Sequence, residues 1–178
     1  MKVHEEHKKK APELVKIALV IVSTSRFEEM QKGKTSTDKT IPLVKEVLKD
    51  NPNFLLSKSE IVADSSEQIK NVLNKLLRDQ SIDSILFSGG TGLTPKDITY
   101  ETLEPLLEKK ILGFGEFFRY LSFKEIGASA MLSRALAGKL GDKAIFLLPG
   151  SPNAVRLALN KLIIPELGHI IYMIKKEE

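Results

Sequence analysis

The sequence predicts an α/β fold built as a doubly wound, mostly parallel sheet with helices on both faces. Three observations carry that expectation. Residues 16–23 form a continuous apolar run rather than an alternation, the mark of a strand covered on both faces. Ile69, Val72, Leu73, Leu76 and Leu77 recur at the spacing of one helical face. Two glycine-bearing loops, at 88–97 and 149–152, each follow an apolar run, which is where open α/β sheets hold ligands.

Taken in order, residues 1–14 read as a flexible charged leader. Their first ten carry four lysines against Glu5 and Glu6 and no apolar core, so no signal peptide is expected. Residues 15–178 read as one α/β domain. After the first strand, 24–37 reads as a polar loop, with its basic side chains Arg26, Lys32 and Lys34 exposed. A helix is predicted over 38–49, where Pro42 is tolerable only in the first turn and Val44, Val47 and Leu48 face inward. Asn51, Pro52 and Asn53 break the chain, and 54–63 reads as a second strand.

The clearest helix follows, with Asp64 or Ser65 as its cap and Glu67 or Gln68 closing a capping box. A third strand, through Ile82, Ile85, Leu86 and Phe87, delivers the first glycine loop. Beyond it the pattern predicts a short helix over 98–107, a glycine-containing segment at 112–116 and a helix over 117–123. Residues 134–140 and 143–148 read as strands joined through Gly141 and Asp142, and helices finish the chain. Phe114, Phe117 and Phe118 suit a subunit interface or the core equally.

Composition narrows the function. At 178 residues, with 42% hydrophobic and 28% charged, the chain can bury one large core. It has no cysteine, which excludes disulfides, thiolate metal sites and a cysteine nucleophile. No apolar run approaches the ~20 residues that cross a bilayer, so a cytoplasmic protein without membrane contact is expected. The formal net charge is +4, and half of it lies in the first ten residues. The remainder is too near neutral for a duplex-binding surface. With no Trp and three Tyr, stacking platforms for single strands are also scarce. His4, His7 and His169 have no zinc spacing, and no Gly-x-Ser-x-Gly elbow is present.

The chemistry-bearing residues concentrate in the first glycine loop: Ser88, Gly89, Gly90, Thr91, Gly92, Thr94, Lys96 and Asp97. Glycines let backbone N–H groups close on a phosphate. Lys96 supplies a cation and Asp97 a magnesium-directed carboxylate. The loop is neither a Walker A motif nor a dinucleotide fingerprint, and a plain strand-to-helix connection is the competing reading. Asp64 and Asp97 suit a hydrated Mg²⁺, yet each precedes a helical pattern and would also make an N-cap. Asp38 has the same double reading, with a cap favoured. Hydroxyls such as Ser88, Thr91, Thr94 and Ser151 can donate to phosphate or bond their own backbone. Arg119 and Arg134 read as structural ion-pair partners.

Taken together, the segments resemble the MoaB/MogA family of molybdenum cofactor biosynthesis proteins. The resemblance is carried by Ser88-Gly89-Gly90-Thr91-Gly92 with Lys96-Asp97-Ile98-Thr99, then Gly113-Phe114-Gly115-Glu116, the stretch 121–127, Leu132-Ser133-Arg134-Ala135 and Leu148-Pro149-Gly150-Ser151-Pro152. It covers roughly residues 16–174 and is closer to the MoaB branch. It implies a MogA-like molybdopterin-binding fold and a molybdopterin adenylyltransferase that joins AMP from ATP to the terminal phosphate of molybdopterin, releasing pyrophosphate. A non-catalytic molybdopterin-binding or carrier protein is the alternative. The CinA-type proteins are less similar, because they carry two adjacent aspartates where Asp97 is followed by Ile98.

By position, the resemblance makes Asp64 and Asp97 the catalytic and magnesium-binding carboxylates. Ser88, Gly89, Gly90, Thr91, Gly92 and Lys96 become phosphate-binding residues, and Pro149, Gly150 and Ser151 part of the pterin or nucleotide wall. It also implies a homo-oligomer, trimer or hexamer, and a downstream molybdate-insertion enzyme as a partner. Thr40 departs from the family, which places a glycine after the acidic segment at Asp38.

Overall fold

The computed structural model describes residues 10–176; residues 1–9 of the expected leader lie outside the described residues. One sheet of six strands organises the chain. Its strands are β1 (Val15–Val22), β2 (Phe54–Val62), β3 (Ser84–Ser88), β4 (Lys109–Lys110), β5 (Leu136–Leu140) and β6 (Lys143–Leu148), in the order β2-β1-β3-β6-β5-β4. The pairs β1–β2, β1–β3 and β3–β6 are parallel, whereas β5 runs antiparallel to β6 and β4 antiparallel to β5. The sheet is therefore mostly parallel, as expected, with an antiparallel edge. Strand β4 was not foreseen: two exposed lysines give no apolar signal, and only pairing with β5 makes them a strand.

The first strand shows why its apolar run has no alternation. Ile17, Leu19 and Ile21 enter one core and Ala18, Val20 and Val22 the other, because successive side chains leave opposite faces. The first face is covered by α2 (Thr40–Lys49), α5 (Leu112–Ile126), α6 (Pro152–Ala158) and α7 (Ile164–Lys175). The second is covered by α3 (Ser66–Arg78) and α4 (Thr99–Leu103). Helix α3 buries Ile69, Val72, Leu73 and Leu76, the stripe read from the sequence.

Three further elements differ from expectation. Residues 24–31 are not loop but helix α1 (Thr24–Gln31). It buries no residue of its own, so it carries no apolar stripe to read. The segments at 112–116 and 117–123 are one helix, α5, because Gly113 and Gly115 sit inside it without breaking it. Phe114 and Phe118 of that helix are core residues, with Phe114 edge-on to Phe146 at 5.2 Å, whereas Phe117 is exposed.

The third difference corrects the estimate of apolar length. Residues Pro152–Lys175 form one helical stretch long and apolar enough to cross a membrane by length and composition. Here it lies on the sheet, burying Val155, Leu159, Ile163, Leu167 and Ile171. A π turn, Leu159–Ile163, interrupts it just ahead of Pro165, whose ring nitrogen cannot donate to the preceding turn.

Candidate active site

Strand β1 has β2 on one side and β3 on the other, so chain connections diverge between β1 and β3. A crevice opens beyond the carboxyl ends at such a point. A cavity of about 560 Å³ lies there. Its floor is the glycine loop, Gly89 to Gly92, and one wall is Pro149, Gly150 and Ser151. Asp64 and Asp97 face it from the loops after β2 and β3, and Phe118, Ile126 and Leu132 form an apolar far wall.

Backbone packing explains the glycines. Gly89 has φ +109°, and a Cβ there would stand 2.2 Å from the Val22 carbonyl oxygen at the end of β1. Across the cavity floor, a Cβ on Gly150 would lie 3.2 Å from the Gly89 Cα, so the two loops meet backbone to backbone. Gly90 and Gly92 each lie against a carboxylate. A Cβ on Gly90 would meet Asp64 Oδ1 at 3.2 Å, and one on Gly92 would meet Asp97 Oδ2 at 2.7 Å.

Each carboxylate has one oxygen tethered. Asp64 Oδ2 accepts the backbone N–H and the hydroxyl of Thr24, both at 2.8 Å, at the first residue of α1. Asp64 does not cap its own helix: Ser65 is the N-cap of α3, accepting from the Gln68 N–H at 3.4 Å. Gln68 returns its side-chain oxygen to the Ala63 N–H at 3.0 Å, a capping box displaced by two residues. Asp97 is likewise no cap, since Ile98 holds that position for α4. Its Oδ2 accepts the Thr94 hydroxyl at 2.6 Å and the Thr94 N–H at 3.0 Å. The Thr94 hydroxyl is the main reason the Asp97 carboxyl lies below the ordinary carboxylate range. The Thr94 and Gly92 amides and the Arg134 charge add to it, against the opposing effect of partial burial.

Other expected site residues are distributed unevenly. Thr91 lines the cavity and is buried. Ser88 does not reach it: the side chain is buried within the sheet, and its hydroxyl donates to the Pro149 carbonyl at 3.2 Å. Lys96 faces a neighbouring cavity of about 480 Å³, with Ser23, Thr24, Ser25 and Pro95, and Asp64 borders both spaces. Ser151 caps α6, accepting from the Ala154 N–H at 3.2 Å. Asp38 stands one residue ahead of Lys39, the N-cap of α2, and accepts from the Ile41 N–H at 2.7 Å. Thr40, the departure at that segment, is fully buried as the first residue of α2.

Two arginines complete the picture. Arg26, expected to be exposed, lines the main cavity, with Nη1 3.7 Å from Asp38 Oδ1. Its place follows from the unforeseen helix α1, which turns it inward while Lys32 and Lys34 stay exposed. A serine ahead of Thr24 was the one sequence signal for that helix. Arg134 is a structural partner, as read, but of the site itself. Its Nε donates to the Thr91 carbonyl at 3.0 Å and its Nη2 to the Gly92 carbonyl at 2.6 Å. It also pairs with Glu101, which lowers the Glu101 pKa. The guanidinium thus holds the Thr91 and Gly92 carbonyls of the glycine loop in place.

The donor set fits a magnesium ion: hard oxygens on two half-tethered carboxylates, with no sulfur or imidazole nearby. Among the described residues no group of three His, Cys, Asp or Glu could hold a metal unaided. A cation here would therefore take its remaining ligands from water and phosphate, as Mg²⁺ commonly does.

Comparison with known proteins converges on one family. Residues 18–169 match the family model described as a probable molybdopterin binding domain. Molybdenum cofactor biosynthesis protein B of Bacillus cereus is 46% identical over 173 residues, covering 97% of this chain and 98% of its own. A probable molybdopterin adenylyltransferase of Methanocaldococcus jannaschii is 42% identical, over 88% of this chain and 92% of its own. Among solved structures, the tungsten cofactor synthesizing protein MoaB from Pyrococcus furiosus is 33% identical with a TM-score of 0.78, covering 93% of this chain and 100% of its own.

Proposed function

The chain belongs to the MoaB/MogA family of molybdenum cofactor biosynthesis proteins, and from that premise we propose that it is a molybdopterin adenylyltransferase. The terminal phosphate of molybdopterin attacks the α-phosphate of ATP. A new P–O bond joins AMP to molybdopterin as the bond from the α-phosphorus to the bridging oxygen breaks, and pyrophosphate leaves. No protein nucleophile takes part, and the chain offers no serine elbow or cysteine for one.

The observation that carries this reading is the pair of carboxylates, Asp64 and Asp97, each with one oxygen fixed, standing over two glycines of one loop. Transfer of this kind depends mainly on positioning and charge neutralisation. Asp64 and Asp97 hold the magnesium ion of MgATP, which supplies charge neutralisation on the phosphates. The backbone N–H groups of Gly90 and Thr91 orient phosphate oxygens, and Lys96 and Arg26 add positive charge on either side of Asp64. The apolar wall of Phe118, Ile126 and Leu132 with Pro149 and Gly150 shields the flat ring of a pterin or adenine from water.

The same reading makes residues 15–178 one cytoplasmic molybdopterin-binding domain that hands its product to a molybdate-insertion enzyme. It also makes the protein a homo-oligomer, trimer or hexamer. Exposed Leu112, Phe117, Tyr120, Phe123 and Met131 on α5 and the turn after it support that assembly. Light scattering on the purified protein should give a multiple of the chain mass, and Phe117→Glu should reduce it.

The deciding experiment is pyrophosphate release from MgATP with and without molybdopterin, beside Asp97→Asn. Release that requires both the pterin and Asp97 establishes adenylyl transfer. Pterin binding without release would make the protein a carrier.

A further inference from the structure

The Asp38 side chain is only 2% exposed, and its two oxygens are used differently. Oδ2 accepts the Ile41 N–H at 2.7 Å, whereas Oδ1 is buried without a hydrogen-bond partner. A buried carboxylate oxygen left so costs stability unless a positive charge faces it. That charge is Arg26, whose Nη1 stands 3.7 Å away, beyond hydrogen-bond reach. Among the described residues the Arg26 guanidinium donates no hydrogen bond, although its side chain is only 24% exposed. Glu29 of the same helix does not engage it, because Thr37 holds that carboxylate through its N–H and its hydroxyl. A planar fork of five N–H donors is thus unused in a side chain that lines the main cavity. Helix α1 also brings the fork to the carboxylate centre. Thr24, two residues earlier, tethers Asp64, which lines the same cavity.

We propose that Asp38 is a positioning residue that holds Arg26 at this cavity, where the guanidinium takes two oxygens of a substrate phosphate. The phosphate rests on the adenylyltransferase reading; the pairing rests on the buried carboxylate oxygen and the unused donors opposite it. A guanidinium fork matches a phosphate bidentately, which the point charge of a lysine does not. Asp38 acts on Arg26 by charge across 3.7 Å rather than through a hydrogen bond, so a bound phosphate displaces no existing contact. Both substrates of adenylyl transfer carry such a group, ATP along its phosphate chain and molybdopterin at its terminus, and the experiment separates them.

The test is calorimetric binding to the full chain of α,β-methylene-ATP with magnesium and, in separate titrations, of molybdopterin. Arg26→Gln should weaken at least one of them about tenfold or more, the loss expected for hydrogen bonds to a charged group. The ligand affected identifies the phosphate that Arg26 meets. Arg26→Lys should recover only part of that loss. Asp38→Asn should weaken the same ligand several-fold, yet add nothing in the Arg26→Gln background, because it acts through Arg26; a merely structural Asp38 would add there. The proposal is overturned if Arg26→Gln binds both ligands as the wild type does, if Arg26→Lys recovers wild-type binding, if the two substitutions add, or if the wild type binds neither ligand. Pyrophosphate release is read in parallel. Its absence with binding still dependent on Arg26 and Asp38 sinks the adenylyl-transfer reading alone, and normal release with binding indifferent to both sinks only this assignment.

Discussion

Asp64 and Asp97 border the same cavity, but they are held there by different kinds of structure. Asp97 is fixed by its own loop, through Thr94 three residues earlier and Gly92 two before that. Asp64 is fixed by α1, through Thr24, forty residues away in sequence. One half of the centre is therefore a local turn, complete once the loop forms. The other half exists only when β1, β2 and α1 are assembled. Variants that disturb one half should leave the other in place, which makes the difference testable.

The largest effect is expected from removing either charge. Asp64→Asn and Asp97→Asn should each lower the rate of pyrophosphate release by about 10²–10³, the usual loss for one electrostatic group in a preorganised site. Equal losses would mean the two halves matter alike to the chemistry despite their different support. Gly92→Ala comes next. Its Cβ presses on Asp97, and forcing in one such methyl costs about 1–3 kcal/mol. In double variants its effect on rate should vanish beside Asp97→Asn and add in full beside Asp64→Asn. Addition in both would show that the glycine loop carries the two carboxylates as one unit.

Smaller effects separate the tethers. Thr24→Val keeps the backbone N–H to Asp64 but loses the hydroxyl, and should cost about 1 kcal/mol in kcat/KM with no change at Asp97. Thr94→Val should remove the main cause of the lowered Asp97 pKa. A carboxyl lowered in the folded state stabilises the protein above its unfolded value of about 4, and that stability is lost as pH falls through the folded value. Urea unfolding should thus find wild type more stable than Thr94→Val by about 1 kcal/mol at pH 7, with the gap closing in strong acid. A gap that does not narrow once acid has protonated the carboxyl would assign the Thr94 contact to packing rather than charge.

The same division between local and distant contacts decides what could be read from sequence. Strands β1 and β6, helix α3 and the two glycine loops announce themselves in their own residues, and their convergence at one sheet edge follows from the alternation of elements. Both carboxylates were visible as candidates for that reason. Helix α1 was not, because it has no apolar stripe and is secured through the Asp64 carboxylate; Arg26 was misplaced with it. Nothing adjacent to Arg134 signals that it grips the Thr91 and Gly92 carbonyls from 43 and 42 residues away. Ser88 was readable as a loop hydroxyl, but its orientation into the sheet depends on the Pro149 carbonyl across the strands.

The contact between Gly89 and Gly150 has a consequence for how this site can change. A seam of bare backbone has no rotamers, so the distance between the two loops is not adjustable by any side chain. Divergence in what the cavity accepts must then come from the opposite side, where Ile126, Ser129 and Leu132 can be exchanged without moving the seam. Libraries aimed at altered ligands should vary those three positions and hold both glycines constant.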